Sequence, residues 1–192
     1  MAAALAAALA ASAVLRSAPA AADDGSAPRT LARGRALVWG ATALVPMIIG
    51  DAREIDGRLI RYLAPGGGVE ARVGYELPGG LALALAGGVT AHASENSRSL
   101  GLYRVLGEVR WAVDAGGEVA PLLGLGAGLL LAHLDRGTAP TAMARVLAGI
   151  EWLPAPWMAI EFSLAMEGAL GGEAFADSIV AATPRIGVAF SE

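Results

Sequence analysis

The stretch Val69-Glu70-Ala71-Arg72-Val73-Gly74-Tyr75-Glu76-Leu77 sets the fold class. Val69, Ala71, Val73, Tyr75 and Leu77 occupy every second position, and Glu70, Arg72 and Glu76 fall between them. Successive side chains of a β-strand point to opposite faces, so in a strand the three charges share one face and the apolar residues the other. A helix gives those charges no common face with a clean apolar stripe opposite.

The same division recurs along the chain. Arg104, Glu108 and Arg110 alternate with Tyr103, Val105, Val109, Trp111 and Val113. Arg145 and Glu151 oppose Val146, Ile150 and Trp152, and Glu161 and Glu167 oppose Met158, Ile160, Phe162, Leu164 and Met166. Arg185 opposes Ile186, Val188 and Phe190. Three more stretches alternate without charge: 36–45, 81–93 and 119–133, the last with Gly124, Gly126 and Gly128 on one face. That glycine face implies close packing in a narrow space. Its competing reading is a buried or membrane helix, because this is the most apolar run in the chain. Eight strands of about 9 to 14 residues follow, where a tilted membrane-spanning strand needs about 9 to 11.

Composition narrows the rest. The chain has 192 residues, enough for one domain, and 55% of them are hydrophobic, yet none of the apolar runs is a strong membrane helix. There is no Cys, so disulfides, thiolate chemistry and Cys-ligated metals are excluded, and two His make a multi-His metal site improbable. No metal and no cofactor is expected. A net charge of −4 gives no reason to expect nucleic acid. Residues 1–22 read as a signal peptide, with an Ala/Leu-rich run and Ala20-Ala21-Ala22 before Asp23, although Arg16 follows the apolar run and no basic residue precedes it. Residues 23–35 read as a flexible periplasmic segment, and 36–192 as the barrel.

The expected connections alternate. Pro78-Gly79-Gly80, 114–117 and Pro154-Ala155-Pro156 read as tight turns; 46–65, 94–99, 134–140 and 168–177 read as longer loops. Trp39, Tyr75, Trp111, Trp152, Trp157 and Phe190 all fall near strand ends on the short-turn side. Trp and Tyr favour a membrane interface, where an apolar ring meets a polar edge.

With these features the chain resembles the small eight-stranded outer-membrane barrels: OmpA-like membrane domains and OmpX- or OmpW-like proteins of the porin family. The run from Pro121 to Gly128 is similar to the Pro-x-x-Gly-x-Gly-x-Gly strand of that class. Ile186-Gly187-Val188-Ala189-Phe190 resembles the C-terminal signal read by the barrel-assembly machinery, except that Ser191 and Glu192 follow the aromatic residue. The resemblance implies an all-β, antiparallel, up-and-down transmembrane barrel in a Gram-negative outer membrane, monomeric, with outer-membrane lipids and the assembly machinery as partners.

In such a barrel Glu70, Arg72, Glu76, Arg104, Glu108, Arg110, Arg145, Glu151, Glu161, Glu167 and Arg185 face the lumen. Eight strands leave an interior that side chains fill, so these charges are expected to pair and plug it. That predicts a non-enzymatic membrane protein, with the mixed-charge stretch 46–65 as the place for an extracellular partner. The alternatives are a narrow channel or passage for small hydrophobic ligands, and a lipid A-modifying enzyme. For the enzyme, the His92-x-Ser94 spacing, with Glu95 beside it, is similar to that of lipid A 3-O-deacylases, but it lies in the third strand and the surrounding motif is not matched. A soluble, lipocalin-like barrel would turn the faces over, with Leu, Val and Trp inside.

Overall fold

The computed structural model describes residues 36–49, 53–55, 58–60, 64–93, 99–113, 118–134, 137–170 and 178–192. The expected signal peptide and the segment 23–35 lie outside them. Among the described residues eleven strands form in chain order: β1 (Ala36–Leu44), β2 (Met47–Ile49), β3 (Arg53–Ile55), β4 (Arg58–Ile60), β5 (Gly67–Leu77), β6 (Leu81–Ala93), β7 (Ser99–Ala112), β8 (Val119–Leu134), β9 (Gly137–Ala155), β10 (Met158–Ala169) and β11 (Ile179–Ser191). Eight of them, β1 and β5 to β11, pair antiparallel with their neighbours in chain order, and β11 returns to pair with β1. The sheet is therefore closed, which removes the unpaired edges that a membrane would not tolerate. The glycine-rich run 119–133 is strand β8, not a helix.

β2 continues the line of β1. Leu44 pairs with Arg185 and Met47 with Ala182, in one unbroken register against β11. The gap at Val45–Pro46 has a local cause. The Val45 N–H donates to the Pro184 carbonyl at 3.1 Å, but Pro184 has no N–H to return, and Pro46 has none either.

The register also fixes the shape. Leu37 pairs with Tyr75, then Leu83, Val109, Leu125, Val146, Met166 and Ala182, and Ala182 pairs with Met47. One circuit thus advances from position 37 to position 47, a stagger of ten residues. With a rise of about 3.4 Å per residue and strands about 4.8 Å apart, that stagger tilts eight strands by about 40°.

Three connections differ from expectation. The stretch 46–65 carries β2 and the separate hairpin β3–β4, in which Arg53 pairs with Ile60. The expected long loop at 134–140 is a hairpin instead: the β8–β9 ladder runs on until Leu134 faces Gly137. Pro140 reads as a loop residue because it breaks a strand pattern, yet it is tolerated near a strand end. The last tight turn sits at Pro156–Trp157, because Ala155 still belongs to β9 and pairs with Met158. The first turn is as expected, with Gly79 and Gly80 at φ of 89° and 78°, a conformation that suits glycine.

Candidate functional site

Burial alternates along every long strand and settles which face is inside. Val73, Val109 and Ile150 are 45–47% exposed, whereas Arg72 and Arg110 are 9% and 5% exposed. The lipocalin-like orientation is excluded by this. Of the eleven candidate lumen residues, Glu70, Arg72, Arg104, Glu108, Arg110, Arg145, Glu161, Glu167 and Arg185 are buried. Glu76 and Glu151 are half-buried near the short-turn end, where they line a pocket with Arg72, Arg110 and Glu161.

The buried charges form two groups. In the larger, Arg145 is the hub. Its Nε donates to Glu167 at 2.8 Å, one terminal nitrogen to Glu108 at 2.5 Å and to Glu70 at 3.1 Å, and the other to Glu70 at 2.7 Å. Arg104 donates to both Glu167 oxygens at 2.8 and 2.7 Å and to Thr90 at 3.0 Å. Thr183 adds a bond to Glu167 at 3.1 Å, and Arg185 reaches Glu70 at 2.5 Å. Three guanidinium groups therefore face three carboxylates, and the cluster is neutral. In the smaller group, Arg72 grips Glu161 with both terminal nitrogens and Arg110 donates to the same carboxylate at 2.8 Å. The partners are distant in sequence and come together because the closed sheet turns them onto one axis. Charge-assisted, forked bonds of this kind are the strong ones, and only full pairing makes burial tolerable.

Sequence reasoning missed the apolar side chains that share the lumen. Leu100, Leu102, Leu106, Leu130, Met143 and Ile179 form one buried cluster, against which Ile48 packs. It lies toward the long-connection end, since Leu100 and Ile179 stand at the starts of β7 and β11. A second cluster contains Ala112, Ala120, Leu122, Leu147 and Ala165. The signal was present: Leu102 and Leu106 share the parity of Arg104 and Glu108. It was obscured because the outward face is also rich in Leu. The β8 glycines make room for this filling. A Cβ at Gly124 would stand 2.9 Å from the Leu147 side chain, and one at Gly128 would collide with the Val105 carbonyl.

The outward face of the barrel strands is mainly apolar. Leu83, Leu85, Val105, Leu125, Leu129, Val146 and Ile186 are all more than half exposed. Tyr75, Trp111, Trp152 and Trp157 are 39–47% exposed at the short-turn end. There Trp39 stacks on Phe190 at 4.5 Å between ring centroids, and Trp157 lies 6.1 Å from Phe190. The Trp111 indole N–H donates to the Gly79 carbonyl at 3.2 Å, turning its polar edge toward the turn. Tyr103 is 47% exposed nearer the opposite end.

Ser94 and Glu95, named with His92 in the enzyme alternative, lie outside the described residues. His92 is 1% exposed, with Nδ1 3.3 Å from the Ala64 carbonyl. His133 faces outward and is exposed. Among the described residues no cluster of His, Asp and Glu is arranged to hold a metal ion.

No protein-family model matches the chain, and no curated protein matches it in sequence. Solved structures do. Neisserial surface protein A superposes with a TM-score of 0.58 at 16% identity, over 80% of this chain and 96% of that one. The N-terminal β-barrel domain of Pseudomonas aeruginosa OprF gives a TM-score of 0.49 at 17% identity, over 81% of this chain and 97% of that one. The outer membrane protein OprG of Pseudomonas aeruginosa gives 0.47 at 11%, over 83% and 96%. The chain has the fold of the small eight-stranded outer-membrane barrels. A closed sheet with this fold and this apolar exterior belongs in a bacterial outer membrane.

Proposed function

We propose that the protein is a non-enzymatic outer-membrane barrel with a sealed lumen, acting through its membrane surface and its longer connections. The observation that carries this reading is the Arg145 hub, whose side chain is 0% exposed and is bonded to Glu70, Glu108 and Glu167. Each guanidinium of that neutral cluster is bonded to a carboxylate, which leaves an ion no uncompensated charge to follow. The apolar cluster of Leu100, Leu102, Leu130 and Ile179 raises a second barrier toward the long-connection end. The stretch 46–65 is the first choice for contact with an extracellular partner, since connections carry specificity while the barrel wall is committed to lipid.

A second reading is a gated narrow conduit. What favours it is a pair of pockets that approach the hub from opposite ends, one lined by Arg72, Glu76 and Glu151, the other by Ile48, His92 and Leu130. Planar-bilayer recording distinguishes the two. The sealed barrel shows no stable openings, and Arg145→Ala, which strips the hub, introduces them. Large, stable openings in the unaltered protein would replace the first reading by the second.

A further inference from the structure

Near the long-connection end of the lumen lies a titratable ring that the charge network does not use. His92 is the next-to-last residue of β6 and is 1% exposed. Its Nδ1 lies 3.3 Å from the Ala64 carbonyl. A carbonyl only accepts, so in the neutral ring Nδ1 carries the proton and Nε2 a lone pair. That Nε2 is buried with no hydrogen-bond partner. Gly66 lies so close to the ring that a Cβ there would meet three ring atoms at 2.6, 2.7 and 2.8 Å. The same short segment ties down the connection 46–65. The Gly66 N–H donates to the Pro46 carbonyl at 2.8 Å, and the Ala64 N–H to the Ala93 carbonyl at 3.0 Å. Residues 64–66 are thus a strap laid over the His92 ring.

A neutral ring suits this place and a charged one does not. Protonation leaves the Ala64 bond intact but turns Nε2 into a second donor, buried without an acceptor. It also brings a positive charge into a largely apolar pocket that His92 shares with the Arg104 guanidinium of β7. The carboxylate of that pocket, Glu167 on β10, is already bonded to Arg104, Arg145 and Thr183. The pocket residues from β2, β8, β9 and β11 are uncharged, as are the strap and the cross-strand partner Leu100. We infer that His92 is a pH-sensitive latch: in neutral medium the ring holds residues 64–66 in place, and in acid it takes a proton at Nε2, moves into water and releases them. The released ring binds a proton that the buried ring does not, so acid favours release and neutral pH restores the latch. A free imidazole titrates near about pH 6.5, so release falls between about pH 5 and 6.5. The latch depends neither on whether the lumen conducts nor on whether the connection meets a partner.

The chain contains no Cys, so a single nitroxide label can be attached at Pro65→Cys, an exposed position of the strap. A second preparation carries it at Pro156→Cys, exposed at the short-turn end, as a control. The test is electron paramagnetic resonance of each protein in lipid vesicles as the medium is acidified. The mobile fraction of the label at 65 is expected to rise from about one-tenth to about nine-tenths over about 2 pH units, the width of a one-proton transition. It falls again on neutralisation, and the label at 156 does not change. His92→Asn, whose amide N–H can replace Nδ1 but which takes up no proton, keeps the label at 65 immobile throughout. Gly66→Ala, which crowds the ring, frees it already at neutral pH. His133→Gln leaves the transition as it is, because His133 faces outward. In the unaltered protein, nitrogen NMR shows the His92 ring protonating over the same range. A label free at neutral pH, no transition in acid, a transition that survives His92→Asn or is lost in His133→Gln, or an immobile label in Gly66→Ala overturns the proposal. So does a His92 ring that protonates without release or stays neutral through it.

Discussion

At the scale of single residues, Arg145 and Gly124 carry the clearest consequences. Arg145 is bonded to three carboxylates in the interior. Replacing it by leucine leaves Glu70, Glu108 and Glu167 facing one another with two guanidinium groups instead of three. Breaking a buried ion pair from one side costs about 3–5 kcal/mol. Arg145→Leu is therefore expected to lower the free energy of unfolding by about that much in a urea titration in lipid vesicles. A change under 1 kcal/mol would mean that the hub is not paired as described. Gly124 makes a different kind of demand, because the Leu147 side chain occupies the place of its missing Cβ. Overpacking of this sort costs about 1–3 kcal/mol, so Gly124→Val should destabilise by that amount. Adding Leu147→Ala should restore much of it, and a double variant no better than Gly124→Val would refute the contact.

At the scale of elements, each long strand has one face for lipid and one for the lumen. A charge placed on the lipid face should therefore be penalised by depth. Leu85 stands in the middle of β6, and Leu81 is its first residue, next to the turn. Arginine near the midplane of such a barrel costs about 2–4 kcal/mol and near an interface about 0–1 kcal/mol. Leu85→Arg should accordingly unfold at clearly lower urea than Leu81→Arg; equal effects would place β6 at another depth. This alternation was legible from residues 69–77 alone, because charged side chains mark the face on which they stand. The leucines of the lumen were less legible. Leu106 and Leu85 are the same residue type, and only the parity relative to Arg104 and Glu108 tells them apart. Nor could the sequence pair the charges, since which glutamate meets Arg145 depends on a register accumulated across several strands. The β8–β9 hairpin was hidden for a simpler reason, as Pro140 imitates a loop residue while still pairing with Leu131.

At the scale of the whole molecule, the aromatic side chains give the barrel a vertical reference. Trp39, Trp111, Trp152 and Trp157 stand at the short-turn end. Quenching of their fluorescence by brominated lipids should be strongest when bromine sits high on the acyl chain. Maximal quenching by bromine at the bilayer centre would contradict the placement of the membrane along these strands.

The bond between Glu70 and Arg185 joins strands that lie 115 residues apart in the chain. It has a consequence for biogenesis. A lone hairpin pushed into oil would carry bare ions, and its counter-ions would still be absent. Insertion strand by strand is thus electrostatically costly for this polypeptide, which favours bringing the last strand to the first ones before they leave water.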